Sequence, residues 1–219
     1  MRPLHILAGL AVVCLFFSTC TLVKPTPAPR DLIPFHRGIP GKLPLVRVVL
    51  LPLHSEDTDS SAAELFGASL RNAITKRNVF EVVQVHEEDL AAMDFVLTRE
   101  KGVYRTADLI LMSQRFGADG VIFGTISRFR AFPAVQLGAR LSLVDCRIGD
   151  LRWSTDFFLD AADAAVDQDV HNFHDVSLRD EHVNGHHTVL VSPRLFCNYA
   201  AARTADTLER VIRLDHVAR

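Results

Sequence analysis

Apolar positions along this chain follow two rhythms, every second residue in some stretches and every third or fourth in others, which separates strands from helices. Val46 to Leu53 (VRVVLLPL) is a near-continuous β-branched and Leu-rich run, the pattern of a strand buried on both faces. A polar stretch from His54 to Ser60 follows. The next helix starts at Ser61, with Glu64 at capping-box spacing and Phe66, Leu70, Ala73 and Ile74 as its buried stripe. Asn78 ends it, and Val79 to Val85 (VFEVVQV) is a second strand.

Glu87 to Leu97 reads as a further helix, with Glu87, Glu88 and Asp89 in the first turn where the helix dipole favours acids. Thr106 is the expected cap of another, whose Leu109, Met112 and Phe116 share one face and which Gly117 stops. Val121 to Ile126 is the third strand. Val135, Leu137, Ala139, Leu141 and Leu143 then alternate with polar or small residues up to Asp145. After the turn Arg147 to Asp150, Leu151, Trp153, Thr155, Phe157 and Leu159 alternate with Arg152, Ser154, Asp156 and Asp160. Two such strands around a Gly-containing turn form an antiparallel hairpin with one covered face.

Ala161 to Val191 is polar, rich in histidine and poorly periodic. Ser192-Pro193 starts a long C-terminal helix, an N-cap residue followed by proline at the first helical position. It runs to about Leu214, with Phe196, Ala200, Thr204, Leu208, Val211 and Ile212 as its apolar positions. The fold class is therefore α/β: a mixed sheet of about five strands with an antiparallel C-terminal hairpin, helices on the sheet and a long terminal helix.

The first residues carry a different signal. Arg2 and His5 precede the apolar run Ile6 to Phe17, which has the length of a signal-peptide core and is short for a bilayer span. Phe17-Ser18-Thr19-Cys20 follows and resembles a bacterial lipobox, in which cleavage precedes the cysteine and its thiol takes a lipid. The lipobox prefers Leu where Phe17 stands and Gly or Ala where Thr19 stands. Ordinary signal cleavage and an uncleaved N-terminal anchor are the other readings. Pro25, Pro27, Pro29, Pro34 and Pro40 then mark a stretch without hydrophobic periodicity, a semi-extended tether. The expected organisation is a signal peptide at 1–19, a lipid anchor on Cys20, a tether over 20–44 and one domain over 45–219. Within that domain, 161–191 is a variable His-rich segment and 192–214 the terminal helix.

Composition narrows the function. The net charge is −2 with no basic run, which gives nucleic acid no footing. Of four cysteines, Cys14 and Cys20 lie in the leader; Cys146 and Cys197 read as two buried thiols in preference to a bridge.

At this point the order of motifs is informative. Leu51-Pro52 ends the first strand. Asn78 to Val83 (NVFEVV) follows, then Arg115 to Gly124 (RFGADGVIFG), then Leu141 to Trp153 (LSLVDCRIGDLRW). This succession resembles the α/β domain of the curli-secretion channel lipoproteins, the penicillin-binding-protein activator lipoproteins and the N-terminal domain of the TolB translocation protein. The resemblance covers about Val46 to Asp160. It implies a periplasmic, non-enzymatic domain that binds envelope proteins or assembles with copies of itself; no cofactor is expected, and the outer membrane is the favoured site for the Cys20 anchor. The residues themselves have plainer roles: Gly117 stops a helix, Gly124 allows close approach, Gly149 turns and Trp153 packs. The two long amphipathic hairpins of the curli channel have no room between Thr125 and Ala134, so no pore is expected. Past Asp160 the resemblance ends.

Chemistry has few footholds. There is no Gly-x-Ser-x-Gly, Ser-x-x-Lys or His-Glu-x-x-His motif and no phosphate loop, so no catalytic residues are assigned; a hydrolase without a motif stays an alternative. His171, His174, His182, His186 and His187 crowd one segment with Asp167, Asp169, Asp175 and Asp180. Imidazoles beside carboxylates are the ligand set of zinc or copper. His171, His174, His182 and His186 are thus candidate metal ligands, against the alternative of a solvated loop. Arg128 to Pro133 (RFRAFP) is either a partner-contact loop or a segment whose Phe residues tuck under the sheet edge. Leu208 to Leu214 packs either on the sheet or on a second copy.

Overall fold

The computed structural model describes residues 31–41, 43–56, 61–91, 105–177 and 185–217. The expected signal peptide at 1–19 and Cys20 lie outside them, as does His182. The folded unit begins at Asp31. Its strands are β1 (Phe35–Arg37), β2 (Arg47–Leu50), β3 (His54–Ser55), β4 (Glu81–Gln84), β5 (Gly120–Arg130), β6 (Gln136–Asp145) and β7 (Leu151–Asp160). Its helices are α1 (Ser61–Arg77), α2 (Glu87–Ala91), α3 (Thr106–Phe116), α4 (Ala164–Ser177), α5 (His187–Val191) and α6 (Pro193–Val217).

The seven strands form one open mixed sheet in the order β1-β7-β6-β5-β2-β4, with β3 also on β5. β4, β2 and β5 run parallel, whereas β5-β6, β6-β7 and β7-β1 are antiparallel. The two strands beyond the expected five are β1 and β3. β1 lies inside the stretch read as tether. The prolines keep that backbone extended, and Phe35 pairs with Thr155, whose hydroxyl donates to the Pro34 carbonyl at 2.6 Å. Ile33 and Leu45, also in or beside the tether, are buried.

Burial alternates along the central strands, so each face has its own core. Val48, Leu50, Ile122, Leu141, Leu143 and Trp153 face α1 and α6 with Phe66, Leu70, Phe196 and Leu208. Val49, Leu51, Val121 and Val144 face the other way, against Leu90 of α2 and Leu109 and Met112 of α3. The six expected apolar positions of α6, from Phe196 to Ile212, are all buried within the chain. Trp153 donates its indole N–H to Thr207 of α6 at 3.2 Å. Cys146 and Cys197 are free thiols, buried in the two separate cores.

Local signals explain the helix ends. Asn78 closes α1 at φ 51°, and Gly117 closes α3 at φ 58°, its N–H bonded to the Ser113 carbonyl. The cap of α3 is Arg105, and Thr106 is the first helical residue; the Arg105 guanidinium pairs with Asp108 at 3.1 Å. Asp89 accepts the His86 N–H at 3.0 Å, which ties the acidic first turn of α2 to its own backbone. Residues 92–97, expected to continue α2, lie outside the described residues.

Candidate functional site

Among the described residues, the histidine segment holds two helices, α4 and α5, where the sequence shows no clear periodicity. Asp163 begins α4, its carboxylate accepting the Ala165 N–H at 2.8 Å and its carbonyl the Asp167 N–H at 2.9 Å. One face of α4 is buried through Val166, Val170 and His174. Phe173 meets Tyr199 edge-on with centroids 5.4 Å apart. Asp169 accepts from the Tyr199 hydroxyl at 2.6 Å and from two Arg203 nitrogens at 2.8 Å. These contacts dock α4 on α6. Asp167 and His171, one helical turn apart, are left on the side that meets the start of α5.

Gly185, at φ 66°, leads the chain into His186 and then α5. His186 reaches back to α4: its Nδ1 lies 3.1 Å from Nδ1 of His171, and its Nε2 lies 3.4 Å from Oδ1 of Asp167. The ring of His187 lies against that of His186, with centroids 4.0 Å apart. One ligand atom each from Asp167, His186 and His187 can be chosen within 4.8 Å of one another. Nε2 of His171 lies 3.5 Å from Asp175. Burial, and then the neighbouring His187 and His171, push the His186 pKa below its ordinary value against the opposing pull of Asp167.

Of the four histidines singled out by spacing, the fold brings together two, His171 and His186. His174 does not join them. It is the neighbour of His171 in the His-x-x-His pair, yet its side chain is only 7 % exposed against 46 % for His171. His182 is outside the described residues. The two partners that complete the cluster are Asp167 and His187. Asp167 and His171 are four residues apart, a signal that becomes legible once the segment is known to be a helix.

A second feature is the outward face of the hairpin. The parallel half of the sheet is covered on both sides; on the hairpin Val144 of β6 still packs against α2 and α3, but further along the outward face Arg140, Asp156 and Phe158 are exposed among the described residues. Arg140 and Asp156 stand 3.2 Å apart, and Phe158 is 56 % exposed. A shallow groove beside them is lined by Pro34, Phe35, His36, Ser142, Ser154 and Thr155. The Arg128 to Pro133 segment divides in two. Phe129 belongs to β5, pairs with Leu137 and packs against the core, whereas Phe132 is exposed.

No protein-family model matches the chain, and no curated protein sequence matches it. Solved structures do. The PelC dodecamer of Paraburkholderia phytofirmans is 12 % identical, over 58 % of this chain and 79 % of that one, with a TM-score of 0.44. Lipoprotein GNA1162 of Neisseria meningitidis is 18 % identical, over 54 % and 86 %, with a TM-score of 0.43. LpoB of Escherichia coli is 14 % identical, over 73 % and 86 %, with a TM-score of 0.41. LpoB is a penicillin-binding-protein activator lipoprotein, from one of the families the sequence resembles.

Proposed function

We propose that this chain is a lipid-anchored periplasmic protein that acts without catalytic turnover, by docking envelope proteins or copies of itself. The anchor is Cys20, behind the apolar run Ile6 to Phe17, and the outer membrane is the favoured location. Among the described residues, no helix is long and apolar enough to cross a membrane. The observation that carries the docking role is the outward face of the hairpin. An antiparallel layer that, beyond Val144, exposes Phe158 together with the charged pair Arg140 and Asp156 among the described residues offers an apolar contact beside polar ones.

The test uses the full chain tagged at Arg219 and expressed in its native envelope. A lipid mass on Cys20, membrane fractionation lost on Cys20→Ala, and co-purification of an envelope protein or of an untagged copy are expected. A soluble, unlipidated protein that purifies alone would overturn the proposal.

A further inference from the structure

The structure assigns a second property, independent of docking: Asp167, His186 and His187 form a site for a zinc-like divalent cation, with His171 as the residue that positions His186. Four-coordinate zinc with bonds of about 2.0–2.2 Å places neighbouring ligand atoms about 3.3–3.6 Å apart. Nε2 of His186 and Oδ1 of Asp167 stand 3.4 Å apart. That separation is not explained by a hydrogen bond, because Asp167 Oδ1 is occluded from solvent and has no hydrogen-bond partner.

The other nitrogen of His186 is provided for. A hydrogen on its Nδ1, donated to Nδ1 of His171 at 3.1 Å, leaves Nε2 with its lone pair free to face Asp167. His171 then carries its own hydrogen on Nε2, towards Asp175 at 3.5 Å. This Asp175–His171–His186 chain is the outer-shell arrangement that fixes the tautomer and orientation of a metal-ligating imidazole. His187 is exposed and one of its ring nitrogens lies within 4.8 Å of the other two ligand atoms, so its ring can turn to bring the third donor to the cation, with the fourth position left to solvent. Nitrogen and oxygen donors of this kind suit zinc, and copper competes for them. The bound ion would tie α4 to the start of α5.

The experiment is equilibrium dialysis of the full chain in detergent, stripped with chelator and titrated with Zn2+. One zinc per chain is expected, with a higher melting temperature when zinc is present and the visible bands of four-coordinate cobalt on Co2+ substitution. His186→Ala abolishes stoichiometric binding. Asp167→Asn and His187→Gln each weaken it by about tenfold or more, and His171→Ala by about 10–100-fold while cobalt stays four-coordinate. His86→Gln, beside α2, leaves affinity unchanged. Should His186→Ala fail to fold, the two variants at the more exposed Asp167 and His187 decide the matter. Binding below one zinc per chain in the wild type, or full binding in both of those variants, would overturn the assignment.

Discussion

Arg152 and Asp215, sixty-three residues apart in sequence, form an ion pair in which neither side chain is more than 3 % exposed. Arg152 sits where the β6-β7 register shifts, between the pairs Leu143–Trp153 and Val144–Leu151. Its Nη1 reaches Asp145 at 3.1 Å, itself 2 % exposed, and Gly41 lies close against the guanidinium. Arg37 of β1 joins from the other side, with Nη2 2.9 Å from Asp215. The network binds the last turns of α6, the hairpin and the first strand to one another. Removing one member of a buried pair strands the other in low dielectric. Asp215→Ala is expected to cost about 3–5 kcal/mol in urea unfolding. Arg37→Ala, at a side chain 35 % exposed, should cost about 1 kcal/mol or less. Equal losses for the two would show that burial does not set the worth of this network.

Asp145 gives the same network a pH dependence. Burial alone would raise its pKa, but hydrogen bonds from the Arg147 side chain and backbone, with the charges of Arg147 and Arg152, hold it below the ordinary 3.8. A carboxylate depressed in the folded state stabilises fully above its unfolded pKa, and that share is lost as pH falls through the lower folded value. Arg147→Ala should therefore destabilise the domain by about 1–2 kcal/mol at neutral pH. The difference from wild type should shrink as pH falls below about 4. Chemical unfolding at a series of pH values checks this, and a difference that stays constant into acid would show that Arg147 acts through packing alone.

How much of this was readable beforehand differs from element to element. The β6-β7 hairpin declares itself because one face is covered by helices while the other, over Arg140, Ser142, Ser154 and Asp156, carries polar residues at least partly open to solvent among the described residues, so each strand alternates there in the sequence as it does in space. The long α6 is announced by Ser192-Pro193, whose hydroxyl does meet the Leu195 N–H at 3.4 Å. The strand β1 could not be read: three residues among prolines have no period, and they are strands only because Thr155 and Trp153 lie opposite. The helix α4 did leave a trace in Val166, Val170 and Phe173, but histidines and aspartates between them hide it. With α4 missed, Asp167 and His171 were two polar residues in a loop. Nothing local brings His186 to them.

Glycines separate close approach from mere freedom. A Cβ on Gly124 of β5 would lie 2.2 Å from the Arg140 carbonyl oxygen and 2.6 Å from the Leu141 side chain, so the strands must part. A Cβ on Gly67, within α1, meets only Leu53 at 3.9 Å, an ordinary contact. Gly124→Ala should cost about 1–3 kcal/mol, whereas Gly67→Ala should gain about 0.5–1 kcal/mol from the reduced freedom of the unfolded chain. Thermal melts of the two variants should therefore shift in opposite directions. A Gly124→Ala protein as stable as wild type would mean that β5 and β6 can separate at little cost.

Phe158 tests the outward face of the hairpin without disturbing the core behind it. Its neighbours in sequence, Phe157 and Leu159, are 4 % and 1 % exposed and belong to the inner layer, while Phe158 itself points to solvent. Burying an aromatic ring at an interface contributes about 1.5–3 kcal/mol, and an exposed ring contributes almost nothing to the isolated fold. Phe158→Ser should leave the unfolding midpoint within about 0.5 kcal/mol of wild type and reduce partner capture, or self-association, by about tenfold or more. Arg140→Ala and Asp156→Ala, at the rim, should each have a smaller effect on capture. The comparison is made at equal expression in the native envelope, with Cys20 unchanged in every case. If Phe158→Ser captured as much partner as wild type, this face of β6 and β7 would not be the docking surface, whatever the state of Cys20.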